Sequence, residues 1–394
     1  MKMKVAYLGK MQLSDIDLSY LNEAQRLNDV TYFVEVNPRF MQGPAYSIKR
    51  LWPHTGIFRA TDVYPELARF SSFIDTDKFY VVNTPGRLWV VKSFWTHLLL
   101  TLFLLRQGFG AIHLAWPPNI YEMVLYVLRR RMVLTVHDPF VHTGNDSAIV
   151  RLRRKVAFRL VPRLLILNEA QREAFIRHYR LRPGQVANGI MGCYTCLRTL
   201  RPDPTVLPGS RKYILFAGKI SPYKGLDYLL PAMRKAHSQC PDCHLIVAGS
   251  GKCHFDTSPY EALPYIDIRN RYIPEAELAT LISHAQFMVC PYTDATQSGV
   301  VMSAFAFATP VVATNVGGLP ETVKDGRYGI VVKEKDSDAL AAAIVRLWKD
   351  EGEAHTFSRN ISQDYATGER SWRKAAEQLA GIYAAIQGRQ PEKQ

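Results

Sequence analysis

Two uncharged apolar runs, residues 287–290 and 310–313, bracket a stretch of small residues, and few folds accommodate that arrangement. Runs of this length and composition read as strands buried on both faces of a parallel sheet. Between them, Gln297-Ser298-Gly299 opens a segment of small and apolar residues, 300–308, long enough for about two and a half helical turns. Strand, small-residue loop, helix and strand follow one another. Such a loop lets backbone amides at a helix N-terminus approach a phosphate, and the helix dipole favours the negative charge. The same residues fit a plainer reading, in which Ser298 only caps a core helix.

The alternation extends through the chain. Strands are expected at 4–8, 31–36, 111–115, 132–136 and 163–167, with helices at 17–27, 88–105, 120–130 and 169–179. Residues 37–85, rich in proline and aromatics, receive no assignment. Residues 198–210 hold Arg201-Pro-Asp-Pro204 and Pro208-Gly209, which reads as a linker. Strands then restart at 213–217, 244–248, 266–273, 287–290, 310–313 and 329–332, with helices at 225–237, 275–283 and 337–348 between them and a final amphipathic helix at 371–386. A chain of 394 residues exceeds one compact core. The expected fold class is α/β, with two Rossmann-like doubly wound domains facing each other across a cleft. Their expected ranges are 1–205 and 206–369, followed by a helical segment, 370–394, and ligands belong at the carboxyl ends of the strands.

Charge separates the two halves. Residues 1–205 hold 28 Lys+Arg against 15 Asp+Glu, and residues 206–394 hold 21 against 20, so nearly all of the net +14 lies in the first half. Arg129-Arg130-Arg131 is one cluster. Arg151, Arg153, Arg154, Lys155 and Arg159 form another, interleaved with Ile149, Val150, Leu152, Val156, Phe158 and Leu160. A basic amphipathic surface suits anionic lipid headgroups, with Arg151, Arg154 and Lys155 as expected membrane contacts; a solvated basic face is the plainer alternative. No nucleic-acid-binding motif accompanies the charge, so no nucleic-acid partner is expected. Residues 93–105, the most apolar stretch, fall short of the roughly 20 a spanning helix needs. They read as a helix buried in a domain or lying against a membrane. The first nine residues carry only a strand-length apolar run, so no signal peptide is expected and the location reads as cytoplasmic.

The second half opens with Phe216-Ala-Gly218-Lys219-Ile-Ser-Pro-Tyr-Lys224-Gly225. Gly218 ends a buried strand, and two lysines bracket a loop that feeds a helix, an arrangement able to hold a diphosphate. This string, followed by Leu-Ile-Val-Ala-Gly-Ser-Gly251 and Ala-Thr-Pro-Val-Val-Ala-Thr-Asn-Val-Gly-Gly-Leu-Pro-Glu321, resembles the C-terminal domain of family 4 glycosyltransferases. The first half resembles the family more weakly, at Val133-Leu-Thr-Val-His-Asp138 and Val186-Ala-Asn-Gly-Ile190.

The resemblance implies a GT-B fold and transfer of a sugar, with retention, from a nucleotide-sugar donor to a hydroxyl of a glycan or lipid-linked acceptor in surface polysaccharide synthesis. It implies that Lys219, Lys224, Gly218, Ser298 and Gly299 hold the donor diphosphate. Asp294, Gln297 and Ser303 then serve the sugar and ribose, and His137 is the catalytic residue beside donor sugar and acceptor. The alternative for His137 is a core histidine bonded to backbone. Glu321 either caps the next helix or is exposed. A last helix crossing back to the first domain is also implied, while no cofactor and no metal is expected.

Two departures qualify this. The positions of the family's two glutamates, eight apart, hold Ala295 and Ser303 here, and a hydroxyl lacks a carboxylate's charge-assisted strength. The glycine pair after the first strand is reduced to Gly9. A nucleotide-sugar epimerase, a transferase with a soluble acceptor and a non-catalytic binding subunit therefore stay open. Three Asp-x-Asp triplets, Asp15/Asp17, Asp75/Asp77 and Asp336/Asp338, read as helix starts or loops. The pairs Cys193/Cys196 and Cys240/Cys243 have a zinc-like spacing but are split by a whole strand and helix, so they read as ordinary thiols.

Overall fold

The computed structural model describes residues 2–140, 147–209, 211–295 and 298–388. The chain divides into two compact units, Met1–Gly192 with Arg370–Gln394, and Cys193–Glu369.

The first unit is built on an eight-stranded sheet. Its strands are β1 (Lys4–Lys10), β2 (Asp29–Val36), β3 (Gly56–Arg59), β4 (Phe79–Asn83), β5 (Ala111–Leu114), β6 (Met132–Val136), β7 (Arg163–Ile166) and β8 (Val186–Asn188). They lie in the order β3-β4-β2-β1-β5-β6-β7-β8, and all pairings are parallel except β3 with β4. The unassigned stretch 37–85 thus supplies two strands. Its first strand, β3, is an antiparallel edge reached through turns, which follows no crossover period, and β4 pairs parallel to β2 inside the sheet. The strand order reverses between β1 and β5, where helices leave opposite faces and the strand ends diverge.

The helix Trp372–Ile386 packs within this unit. Its Tyr383 hydroxyl lies 2.5 Å from His113 Nδ1 and 3.0 Å from the Tyr20 hydroxyl, and Gln378 donates to the Asn188 carbonyl at 2.7 Å. His113 is buried and its pKa falls to about 3, chiefly through desolvation. It therefore bridges Tyr383 and Thr135 as a neutral imidazole.

Asp15 and Asp17 open the helix Ser14–Leu27, and both are buried. Asp17 accepts hydroxyl hydrogen bonds from Tyr7 (2.8 Å) and Tyr32 (3.0 Å). Gly9 faces it, since a β-carbon there would stand 2.0 Å from Asp17 Oδ2. Burial raises the Asp17 pKa from 3.8 to about 8, against the opposing pull of the two hydroxyls, and that of Asp15 to about 7. A carboxyl with a raised folded pKa contributes stability that is full below the unfolded value and lost as pH climbs through the folded one. The melting temperature of the chain is therefore expected to fall between about pH 4 and pH 8, and Asp17→Asn to flatten that slope. Thermal melts of both proteins across this window check it; parallel slopes would contradict it.

The second unit carries six parallel strands, β9 (Ile214–Ala217), β10 (Leu245–Gly249), β11 (Ile266–Asn270), β12 (Phe287–Cys290), β13 (Val311–Thr314) and β14 (Gly329–Val332). Their order is β11-β10-β9-β12-β13-β14, the doubly wound arrangement with its reversal between β9 and β12. Phe216, Val247, Val289 and Val312 meet Leu229, Met233 and Ile344 in a continuous core. The helix Glu351–Ala366 extends the expected elements. Cys193, Cys196, Cys240 and Cys243 are buried; burial pushes the Cys193 thiol up to about 11. Asp75 and Asp336 accept from the amides two residues on, so both triplets start helical turns.

Candidate functional site

The reversal point of the second sheet gathers the expected loops. Strand β9 ends at Gly218, whose φ of +116° is tolerated by glycine, and a β-carbon there would meet Val300 Cγ2 at 3.2 Å. The first loop is thereby pressed against the start of the helix Gly299–Ala306. From Gly218 the chain runs beside the end of β10, with Gly218 N–H donating to the Ala248 carbonyl and Ile220 N–H to that of Ser250, both at 3.0 Å. Gly249 and Gly251 permit this, because β-carbons there would fall 1.8 Å and 1.9 Å from the carbonyl oxygens of Gly218 and Ile220. These glycines serve the packing of backbone on backbone.

The turn Pro222–Lys224 delivers the chain to Gly225, left-handed at φ +69°, which begins the helix Leu226–Gln239. Thr293 N–H donates to the Tyr223 carbonyl at 2.8 Å, joining this turn to the loop after β12. An alanine at 225 would put its β-carbon 1.8 Å from the Pro291 carbonyl oxygen. Gly225→Ala is expected to destabilise the second unit by about 1–3 kcal/mol through backbone strain and to shift Lys224. A denaturant midpoint equal to that of the parent chain would count against this close approach.

Lys224 and Ser298 meet through a residue that the sequence did not single out, Tyr292. The Lys224 Nζ stands 3.7 Å from the centroid of the Tyr292 ring, a cation–π contact. Burial holds its pKa below the ordinary lysine value, with Cys290 opposing. Tyr292 is buried; its hydroxyl lies 3.2 Å from Ser298 Oγ, and its carbonyl accepts from Thr314 Oγ1 at 2.5 Å. Ser298 Oγ in turn accepts from Val301 N–H at 3.4 Å, so it does cap the helix Gly299–Ala306. Capping and anion binding are compatible, since the cap leaves the first amides of the helix at the reversal point.

Lys219 projects from the same loop and is exposed. Ser221 Oγ, buried at the start of the turn, has no hydrogen-bond partner among the described residues. Asp294 is exposed beyond Tyr292. Ser303 Oγ donates to the Gly299 carbonyl at 3.0 Å within its own helix, so a bond to a ribose would compete with that contact. Gln297 lies outside the described residues. Glu321 is exposed in the first turn of the helix Leu319–Val323.

In the first unit, His137 follows β6, buried, with its ring 6.0 Å from that of Trp116 at an interplanar angle of 28°. Desolvation lowers its pKa to about 4, against the pull of Asp138 and a hydrogen bond to the Ala115 backbone. It is a neutral imidazole at ordinary pH, able to hold a hydrogen bond without carrying charge. Arg154, expected at the surface, is instead buried: its guanidinium donates to the Asp138 carbonyl and stacks 5.3 Å from the Phe158 ring centroid. Its position in the helix Ala148–Leu160 turns it inward, whereas Arg151 and Lys155 are exposed.

At the reversal point of the first sheet stands a cluster that sequence reasoning missed. Lys10 Nζ, at the end of β1, lies 2.5 Å from Glu35 Oε2 and 2.6 Å from Glu122 Oε1, and all three residues are buried. His97 Nε2 is 3.5 Å from Glu122 Oε1, and its Nδ1 is 2.7 Å from the Ser93 carbonyl. Burial alone would depress the Lys10 and His97 pKa values and raise that of Glu122. The ion pairs outweigh it, so both bases are held above their ordinary values and Glu122 below its own. Lys10 occupies the place of the missing second glycine, and the connection to the first helix shrinks to the single turn Met11–Leu13.

Residues 211–350 match the family described as glycosyl transferases group 1. Among curated relatives, a D-inositol 3-phosphate glycosyltransferase of Corynebacterium aurimucosum is 29% identical over 283 residues, covering 62% of this chain and 66% of that protein. An alpha-maltose-1-phosphate synthase of Mycolicibacterium smegmatis is 27% identical over 270 residues, covering 62% and 68%. The chain spans 44% to 68% of the length of the curated relatives it matches. Among solved structures, a sucrose-phosphate synthase from Thermosynechococcus elongatus superposes with a TM-score of 0.66 at 17% identity, over 98% of this chain and 99% of that one. Anabaena HepE, solved with UDP, gives 0.65 at 15% identity, over 98% and 100%; it has also been solved with UDP-glucose. These likenesses establish the GT-B fold, and the stretch of this chain from residue 211 to residue 350 is similar to the glycosyl transferases group 1 domain.

Proposed function

We propose that this chain transfers a sugar from a nucleotide-sugar donor to a hydroxyl of a lipid-linked glycan, with retention at the anomeric carbon, in surface polysaccharide synthesis. The observation that carries the reading is the linkage of Lys224, Tyr292 and Ser298 at the reversal point of the second sheet. A partly buried ammonium and a capped helix N-terminus converge there, and both favour the diphosphate that leaves when the glycosidic bond breaks. Charge that develops on a leaving group is stabilised most by groups already in place. Lys219 adds a second ammonium, and the Ser221 hydroxyl, without a partner among the described residues, suits a phosphate oxygen. Asp294 stands nearest in sequence to the absent first glutamate and serves the sugar hydroxyls, with Gln297 and Ser303 contributing to sugar and ribose. His137, neutral down to about pH 4, serves as a hydrogen-bonding catalytic residue. The chain works on the cytoplasmic face of a membrane, with Arg151 and Lys155 against anionic lipid.

The test is incubation with UDP-, GDP- and dTDP-sugars, beginning with the UDP-glucose that HepE binds, with and without lipid-linked acceptor. Release of nucleoside diphosphate with an acceptor product that keeps the donor's anomeric configuration is expected. Silence across the panel would favour a binding subunit, and turnover confined to the free nucleotide-sugar would favour an epimerase.

A further inference from the structure

The helix Trp89–Arg106 turns an apolar face to the outside. Its buried residues are Ser93, Thr96, His97, Leu100, Thr101 and Leu104, while Val91, Phe94, Trp95, Leu99, Leu102 and Leu105 face outward, with Trp95 and Leu99 each 59% exposed. The inward polar groups are satisfied. Ser93 Oγ pairs with Thr84 Oγ1 at 3.1 Å, Thr96 and Thr101 each donate to the carbonyl four residues earlier at 2.7 Å, and His97 reaches the Ser93 carbonyl and Glu122. A water-facing helix turns its apolar stripe to the core. Here the inner face holds four bonded polar side chains beside Leu100 and Leu104, and a further apolar stripe is left outside.

Neighbouring elements extend the apolar surface. The 3₁₀ helix Ile120–Arg131 packs beside this helix and exposes Ile120, Met123 and Val127. The helix Ala148–Leu160, which joins it through an Arg153–Asn119 hydrogen bond, exposes Ile149 and Leu152. Basic residues rim the patch: Arg106, Arg129, Arg130 and Arg131 at the ends of the first two elements, Arg151 and Lys155 on the third, all exposed. Across these three elements the single carboxylate is Glu122, which is buried. Leu105 and Val127–Arg131 together line a shallow pocket, so the apolar and basic surfaces are continuous.

We propose that this face is a docking surface for an anionic lipid bilayer. The helix Trp89–Arg106 lies in the interfacial plane, Trp95 and its neighbours enter the acyl boundary, and the rim engages lipid phosphates. Contiguous exposed apolar surface marks an interaction site, and tryptophan with arginine suits the boundary between headgroups and acyl chains. Charge selects lipid over a second copy of this chain, because self-pairing would bring two arginine-rich rims together with no exposed carboxylate to offset them. Among the described residues no helix is long and apolar enough to cross a membrane, so the helix lies along the surface. This inference rests on the membrane placement proposed above and assigns it a surface; vesicle binding is read without a donor, so its failure is distinguishable from a failure of sugar transfer.

The experiment is co-sedimentation of the full chain with vesicles of phosphatidylcholine alone or mixed with phosphatidylglycerol. Binding to the anionic vesicles is expected, weakened by salt and lost in Trp95→Glu/Leu99→Glu, whose melting temperature stays at the parent value because both sites are exposed. Replacing Arg129, Arg130 and Arg131 together by glutamine should weaken partitioning on the order of 100-fold, from about fivefold per basic residue. Should the glutamate variant fail to fold, quenching of tryptophan emission by brominated lipid decides, being present in the parent and largely absent in Trp95→Phe. Equal vesicle binding by parent and glutamate variant would overturn the proposal. So would a parent dimer that ignores vesicles and is dissolved by the same substitutions.

Discussion

Lys224→Ala is expected to lower kcat/KM for donor turnover by about 10²–10³-fold, the loss that follows removal of one preorganised group facing developing charge. The size follows from the setting. Lys224 is partly withdrawn from water and held over the Tyr292 ring, so its charge is less screened than that of a surface lysine. Lys219 shares the loop but is exposed, and Lys219→Ala should cost distinctly less. The measurement is steady-state nucleoside diphosphate release for both variants over a range of salt concentrations. Added salt should depress the contribution of Lys219 more than that of Lys224. Turnover of Lys224→Ala within a factor of two of the parent would show that this ammonium does not face the leaving group.

Lys10→Met is expected to destabilise the first unit by about 3–5 kcal/mol, the range for a buried ion pair that loses one partner. It would leave Glu35 and Glu122 buried beside each other, Glu122 keeping His97 and the Asn119 backbone N–H and Glu35 keeping the Asn37 side-chain amide. In the parent, Lys10 holds the Glu122 pKa below its ordinary value. In the variant, desolvation and the neighbouring carboxylate would raise Glu122 instead. A carboxyl with a raised folded pKa gives stability that is lost as pH climbs. The deficit of Lys10→Met should therefore be larger in alkaline than in acidic buffer. Denaturant unfolding of both proteins at two pH values reads the effect, and a deficit independent of pH would assign the loss to packing rather than charge.

The doubly wound second unit was legible because its strands are short apolar runs separated by helical periods and turn residues, which the tertiary structure does not override. Gly218 and Gly225 were readable for the same reason, since local backbone conformation demands them. The helix Glu351–Ala366 left a signal, Phe357, Ile361 and Tyr365 at four-residue spacing, that a closer count of periods would have found. Strand β3 left little, because an antiparallel edge and its turns follow no crossover period, whereas the parallel strand β4 carries a short apolar run, Phe79–Val82. Arg154 was misplaced since its neighbours are basic and exposed; only the helix's orientation turns it toward Asp138.

Composition and periodicity were enough to establish two α/β units, the place of the glycine-bearing loops after β9 and β12 and the basic bias of the first half, because each depends on residues close in the chain. Folding alone joined Lys224 to Ser298 through Tyr292, set Lys10 between Glu35 and Glu122, and turned the apolar stripe of Trp89–Arg106 outward. Lys10 and Glu122 stand 112 positions apart. Interactions across such separations depend on which faces meet when the sheets assemble, and no local pattern of residues encodes that choice.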